Sequence, residues 1–537
     1  MQKSRVVLII LDGWGIGPDY PGNALKQAHI PTMDMLQATF PHTELLASGE
    51  AVGLPKGEDG NTETGHLNIG AGRVVYQDLP RINMSISSGS FMSNKAFLKA
   101  IEHTKKNHSH LHLLGLVGQG GVHSSNEHLY ALLRLAKAQN LDQVYLHLIT
   151  DGRDSGPTSS PMYIAQVQSE IAATGLGQIA TVVGRYYAMD RDHRWERIQV
   201  AYEALINGQG ELATDLLSTI ARRHAQKEND EFIKPIILAG TPRIASGDAV
   251  IFFNFRIDRP RELTRAITMS DDEFVHHQES FDPYGVKYHK SHLAEKSQST
   301  KIFARDTRPS NLVFVSMTEY EKNLPVEVAF PPEFVEMPLS RVVALAGKRQ
   351  LKLAESEKER FVTYYFNGQR ELPFPGEDID ITPSPKVATY DLAPEMSGVA
   401  QTDKLISAIN GELYDLIVIN YPNPDMVAHT GNLASSIKAC SFVDTCIAKI
   451  YERVMQKDNL TMLITADHGN VEELISLENG GVDTEHSAFP VPLLVVGRSF
   501  LNQGKSLSHG SLCDVAPTIL HLLALNKPAS MSGRSLL

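Results

Sequence analysis

Short runs of Val, Ile and Leu recur along the whole sequence, each bounded by turn residues and separated from the next by a stretch of helical length. A run that is apolar at every position, rather than at alternate ones, must be buried on both faces. That is the signature of parallel strands covered by helices, so the expected fold class is α/β. In open α/β sheets ligands bind beyond the carboxyl ends of the strands, which makes the first polar residues after each run the natural site candidates.

Near the two chain ends those residues are carboxylates and imidazoles. The run at 6–11 delivers Asp12, the run at 416–420 leads to Asp425 and His429, and the run at 460–465 delivers Asp467 and His468, while His486 precedes the run at 491–496. In the middle the chemistry changes to arginine. The run at 111–117 leads to His123, 144–150 to Asp151, Arg153 and Asp154, 179–183 to Arg185 and Arg191, and 249–255 to Arg256 and Arg259. If the two ends meet on one site, residues 1–76 and 311–537 form a discontinuous metal-binding domain, and residues 77–310 form an inserted substrate-binding domain. Hinges are then expected at 77–80 and 308–311, where proline and polar residues interrupt the apolar pattern. The stretches 283–308 and 372–385 read as loops or insertions without a function of their own.

Composition narrows the partners. The chain has 537 residues with Lys plus Arg 50 and Asp plus Glu 62, a net charge of −12 that disfavours nucleic acid and anionic lipid. The three cysteines, Cys440, Cys446 and Cys513, have no zinc-ligand spacing and suggest a reducing compartment. The run at 6–11 is too short for a signal segment or a membrane span. A cytoplasmic enzyme is expected.

Asp12, Thr62, Asp425, His429, Asp467, His468 and His486 make the metal case. Mixed carboxylate and imidazole donors without thiolates suit Mn²⁺, Mg²⁺, Co²⁺ or Zn²⁺ in a working site rather than a structural zinc knot. One Asp after a strand is ordinarily a turn or helix cap. Asp425 and His429 at i and i+4, with Asp467-His468-Gly469 after a separate strand, are harder to explain that way. The glycine-rich segment 57–73 surrounds Thr62 and Thr64, and a hydroxyl beside a divalent ion is a competent nucleophile; the alternative is that Thr62 only caps the following helix. Arg153, Arg185, Arg191, Arg256 and Arg259, placed after strands in an acidic chain, imply a pocket for a small anion, although surface arginines are commonly just solvated. Lys358 lies in the charge run Glu355-Ser356-Glu357-Lys358, which reads as a solvated helix face and by itself has no role.

Taken together, VVLIILDGWGIG, GNTETGHLNIGAGRVVYQDLPRIN, GQGGVHSSNEHL, DGRD, GRYYAMDRDHRWER, FFNFRIDR, VAFPPE, NPDMVAHTG, TADHGN and CDVAPTIL closely resemble the cofactor-independent (2,3-bisphosphoglycerate-independent) phosphoglycerate mutases of the alkaline phosphatase superfamily. The likeness spans nearly the whole chain. It implies an alkaline-phosphatase-like domain built from both chain ends, an inserted α/β transferase domain, and two Mn²⁺ or similar ions with no requirement for 2,3-bisphosphoglycerate. Asp425, His429 and His486 would hold one ion; Asp12, Thr62, Asp467 and His468 would hold the other. Thr62 would be the nucleophile, and His123, Arg153, Asp154, Arg185, Arg191, Arg256, Arg259 and Lys358 would bind the phosphoglycerate, which supplies a role for Lys358.

The activity so implied is interconversion of 3-phosphoglycerate and 2-phosphoglycerate through a phosphothreonine, by a monomer, with Asp154 moving protons at the glycerate hydroxyls. Closure about the hinges is expected to keep water from the phosphoenzyme. Two positions depart from the family pattern. The motif GNSExGH has serine where this chain has Thr62, and Ser125 stands where a second histidine is usual. A related metallohydrolase, a phosphopentomutase or a catalytically impaired phosphoglycerate-binding relative stay open as alternatives.

Overall fold

In the computed structural model, residues 4–276, 301–501, 503 and 507–537 are described. The chain divides into two units, one formed by the residues up to Pro80 together with those from Glu333 onward, the other by Arg81–Pro332.

The first unit is built on an eight-stranded sheet in the order Glu377–Thr382, Gln350–Glu355, Leu416–Tyr421, Arg5–Leu11, Leu460–Thr465, Val491–Val496, His42–Leu46, Gly510–Ser511. The first five are mutually parallel, and Val491–Val496 runs antiparallel to both its neighbours. Arg5–Leu11 is buried at every position, as its unbroken apolar run requires. Each of its aliphatic side chains contributes roughly 2 kcal/mol relative to exposure, as an upper bound. Register sets the site: Ile10 lies opposite both Asn420 and Thr465, so the residues following these strands emerge together at one sheet end. Behind the sheet, the 22-residue helix Leu433–Val454 buries Cys440, Val443, Ile447 and Ile450, one face at helical spacing. All three cysteines are buried free thiols, consistent with packing rather than ligation.

The second unit has its own eight-stranded sheet, in the order Glu327–Phe330, Val313–Thr318, Ala249–Phe252, Leu111–Val117, Val144–Thr150, Gln178–Gly184, Ile236–Leu238, Glu211–Ala213. All pairs are parallel except Gln178–Gly184 with Ile236–Leu238. His123, Arg153, Arg185 and Arg256 therefore follow the carboxyl ends of adjacent strands.

Three expectations need correction. The boundary at 310/311 is too early: Val313–Thr318 pairs in register with Ala249–Phe252 and carries Glu327–Phe330 beside it, so the chain leaves the second unit only at Pro332. The stretch 372–385 is not all loop. Its EDIDIT core is the edge strand Glu377–Thr382, paired through Gln350–Glu355, and its prolines flank rather than interrupt the ladder. Lys358 is not on a solvated face; it ends a short 3₁₀ turn and is buried. Residues 283–300 lie outside the described part of the chain. Among the described residues no helix is long and apolar enough to cross a membrane.

Candidate active site

Beyond the carboxyl ends of Arg5–Leu11, Leu416–Tyr421 and Leu460–Thr465, three carboxylates converge with no exposure to speak of: Asp12 at 0%, Asp425 at 1% and Asp467 at 0%. Asp425 Oδ1 lies 3.3 Å from His429 Nε2 and 3.4 Å from His486 Nε2, and those two nitrogens are 3.2 Å apart. Two donors on one tetrahedral ion with bonds of about 2.1 Å are separated by about 3.4 Å, so this triangle has the dimensions of a metal-ligand face. A second group centres on His468 Nε2, which is 3.4 Å from Asp12 Oδ1, 3.4 Å from Asp467 Oδ2 and 2.9 Å from Thr62 Oγ1. Asp467 Oδ2 is buried without a hydrogen-bond partner, facing ring nitrogens of His66 and His468. A bare buried carboxylate oxygen in such company is a seat for a cation, and the donor set of both groups fits the expected ions.

Lys358 joins the two groups. Its Nζ donates to Asp12 Oδ1 at 2.7 Å, Asp425 Oδ2 at 2.8 Å and Thr62 Oγ1 at 3.1 Å. Thr62 is the first residue of the helix Thr62–Ala71, and the cap is Asn61, whose side chain accepts from Thr64 N at 2.9 Å. Capping is thus supplied by the neighbour, and the Thr62 hydroxyl is left to the cluster. The helix starts at the site, where its dipole favours negative charge. It comes this close because a Cβ at Gly65 would meet the carbonyl oxygen of Asp467 at 2.3 Å. The helix glycines Gly65 and Gly70 thus admit neighbouring backbone, not a ligand, while Gly57 and Gly72 adopt positive φ.

The electrostatics follow from burying three carboxylates together. Burial alone would lower the His468 pKa, but Asp467, Asp12 and Asp425 raise it to about 10. His429 is raised in the same way, burial being outweighed by Asp425. Burial opposes ionisation of Asp467, yet His468 and His66 bring it down to about 2. Asp425 is held far below the usual carboxylate range against burial, chiefly by Lys358 and His429. Lys358 itself is raised, since the three carboxylates outweigh its desolvation. The pocket demands positive charge.

Sequence reasoning missed two supports here. His66 Nδ1 donates to the Thr62 carbonyl at 2.9 Å, and Asn420 Nδ2 donates to Asp12 Oδ2 at 2.7 Å. His66 Nδ1 lies 3.2 Å from Asp467 Oδ2, but its proton goes to the Thr62 carbonyl and Nε2 faces Asn420 Nδ2 at 3.1 Å, so the ring braces the start of the Thr62 helix. Its position four residues after Thr62, on the same helix face, was the available signal.

In the second unit, Arg185 is buried and anchors the arginine cluster. Nη1 donates to Asp151 Oδ1 and to Asp154 Oδ2, both at 2.5 Å, and Nη2 donates to His123 Nε2 at 3.0 Å. Burial first, then Arg185, lowers the His123 pKa to about 3, which keeps the ring neutral with Nε2 as acceptor. Asp154 is ionised: burial opposes it, but the Arg185 hydrogen bond lowers its pKa. Arg191 Nη1 donates to Asp258 Oδ2 at 2.9 Å, and Arg256 Nε lies 3.3 Å from Asp258 Oδ1. Asp258, unnoticed in the sequence although it sits between Arg256 and Arg259 in FFNFRIDR, is the hub that spaces these cations. Arg259 Nη1 donates to the Met189 carbonyl at 3.0 Å. Arg153, Arg191 and Arg256 keep 56%, 40% and 41% of their side chains exposed, so they retain donors for an anion.

All seven expected metal residues and Lys358 therefore cluster in the first unit, and the other expected substrate residues cluster in the second. Ser125 precedes the helix Asn126–Ala138 as an ordinary extended residue.

The BPG-independent PGAM N-terminus family matches residues 82–322. The chain is 49% identical to the 2,3-bisphosphoglycerate-independent phosphoglycerate mutase of Chloroflexus aggregans, over 100% of this chain and 99% of the relative. It is 46% identical to the enzyme of the same name from Clostridium botulinum, with 100% of both chains covered. Among solved structures it resembles Leishmania mexicana phosphoglycerate mutase at low cobalt concentration, with a TM-score of 0.58, 27% identity, and 100% and 98% of the two chains covered. Two clusters of matching chemistry and full-length identity at this level lead to one conclusion: the chain belongs to the 2,3-bisphosphoglycerate-independent phosphoglycerate mutase family.

Proposed function

We propose that this phosphoglycerate mutase interconverts 3-phosphoglycerate and 2-phosphoglycerate by passing the phosphoryl group through Thr62. The observation that carries the reading is the position of Thr62 Oγ1, at a helix start, 2.9 Å from His468 Nε2 and 3.1 Å from Lys358 Nζ. Two divalent ions, Mn²⁺ being our choice, held by Asp425, His429 and His486 and by Asp12, Thr62, Asp467 and His468, would lower the hydroxyl pKa and neutralise phosphoryl charge. Lys358 keeps its proton, so it acts as a fixed cation that steadies the Thr62 oxyanion rather than as a base. Thr62, deprotonated, attacks phosphorus and the ester bond to glycerate breaks; Asp154 takes the proton of the other hydroxyl and passes it to the freed glycerate oxygen, and return of the phosphoryl group to that deprotonated oxygen completes the isomerisation and frees Thr62.

Arg153, Arg191, Arg256 and Arg259 hold the glycerate carboxylate while it reorients, with Arg185 fixing the geometry of His123 and Asp154. Asp154, ionised and partly open, is the group for proton exchange with the glycerate hydroxyls. The extra methyl of Thr62 restricts χ1 without removing the nucleophilic oxygen. We further propose a cytoplasmic monomer, for which sedimentation is the check. The test of function is an enolase-coupled assay on 3-phosphoglycerate with Mn²⁺ and no 2,3-bisphosphoglycerate. Product formation in that assay is the expected result; release of inorganic phosphate without 2-phosphoglycerate refutes it.

A further inference from the structure

The arginine cluster contains a residue whose guanidinium is held by protein groups on two sides. Arg197, in the first turn of the helix Trp195–Ile206, places its guanidinium carbon 3.8 Å from the ring centroid of Tyr186 and donates through Nη1 to Asp190 Oδ1 at 3.2 Å. Asp190 is 4% exposed, and its Oδ2 accepts from the backbone N–H of Asp192 and of Arg194, both at 2.9 Å. One carboxylate therefore closes the turn that carries Arg191, and Arg197 supplies its counter-charge. Tyr186 directly follows Arg185 on the short helix Arg185–Ala188. Arg197 thus ties together the two segments that present Arg185 and Arg191. Arg185, Tyr186, Asp190, Arg191 and Arg197, with Arg153 and Arg259, line a cavity of about 140 Å³.

The physical need for such a tie is clear. Arg153, Arg185, Arg191 and Arg259 repel one another, and while Asp258 holds the Arg191 guanidinium, it is Asp190 that holds the backbone of the turn carrying it. Arg197 has one guanidinium face on an aromatic ring and one nitrogen on a carboxylate, so its side chain is fixed at two points that belong to the two segments. We propose that Arg197, acting through Asp190 and Tyr186, is a positioning residue that sets affinity for the glycerate moiety while taking no part in phosphoryl transfer to Thr62. This rests on the proposed glycerate site.

The test measures kcat, KM for 3-phosphoglycerate and melting temperature for R197A, R197K, D190N and, as a reference, R191A. R197A and D190N are expected to raise KM at least about tenfold with kcat within about threefold. R197K, which keeps the charge and the stem but loses the planar stack, is expected to raise KM several-fold and guards against a folding defect in R197A. Unchanged KM in R197K and R197A, or a fall in kcat and melting temperature with KM constant, overturns the proposal. If R191A raises KM and R197A does not, only the positioning role fails; if R191A also leaves KM unchanged, the glycerate-site reading fails with it.

Discussion

Replacing Lys358 with methionine removes one charge from between two buried carboxylates while keeping an unbranched side chain of similar length. Nζ lies 2.7 Å from Asp12 and 2.8 Å from Asp425, residues that are 0% and 1% exposed. Breaking a buried ion pair by deleting one partner costs about 3–5 kcal/mol, because a charge is left uncompensated. Asn420 still donates to Asp12 and Asn470 still donates to Asp425 at 2.8 Å, so the lower value, about 3 kcal/mol, applies. For a unit of about 285 residues each kcal/mol moves the melting temperature by roughly 1.5–2 °C, giving a fall of about 5 °C in chelator. Saturating Mn²⁺ should recover part of the loss, since ions replace the missing charge and stabilise the state that binds them. Loss of the donor to Thr62 Oγ1 should lower kcat by about 10²–10³. The assays are differential scanning calorimetry with EDTA and with Mn²⁺, and the coupled mutase assay. A variant that melts with wild type in EDTA and keeps kcat within about threefold refutes both the ion-pair energetics and the catalytic placement of Lys358.

Thr62→Ala should reduce kcat by several orders of magnitude and abolish the labelled phosphoenzyme, whereas Thr62→Ser should keep both; full activity in the alanine variant ends the nucleophile assignment. Arg191→Ala should weaken retention of glycerate and raise inorganic phosphate release relative to 2-phosphoglycerate, measured in one reaction; an unaltered ratio counts against the retention argument. His128 is buried, its Nε2 2.9 Å from Asn83 Oδ1, and burial holds its pKa down to about 3 from 6.5. Between those values the unfolded chain binds a proton that the folded chain does not, so stability falls as pH is lowered from 6.5, by about 2 kcal/mol at pH 5 from this residue. His128→Gln should therefore lose less stability than wild type between pH 7 and pH 5 in urea titrations, and an identical loss would show that this ring does not set the acid sensitivity.

The sequence alone carried much of the site, because metal and anion chemistry needs particular side chains directly after strands. Unbroken apolar runs identified four strands in each sheet, and the polar residues beside them were the ones the fold brings together; mixed strands such as Gln350–Glu355, which leads to Lys358, were not legible this way. The edge strand Glu377–Thr382 was hidden behind its flanking prolines although its Glu-Asp-Ile-Asp-Ile-Thr alternation was legible as a half-exposed strand. Asp258 and His66 were legible as residue types within motifs, but their work, spacing other side chains and bracing the Thr62 helix, was not.

Lys358 marks the limit of pattern reading. Its local sequence is a run of charge, and only the approach of the strands ending at Leu11 and Tyr421 converts it from a solvated lysine into a buried cation shared by two carboxylates. The unit boundary is a second case. Val313–Thr318, broken by Ser316, did not stand out as an apolar run, and its pairing with Ala249–Phe252 is what puts it in the second sheet. Local composition determined which segments become strands and which side chains follow them. Which strand lies beside which, and so which charges must share one buried volume, was decided by register and burial across hundreds of residues, interactions that no local stretch of sequence contains.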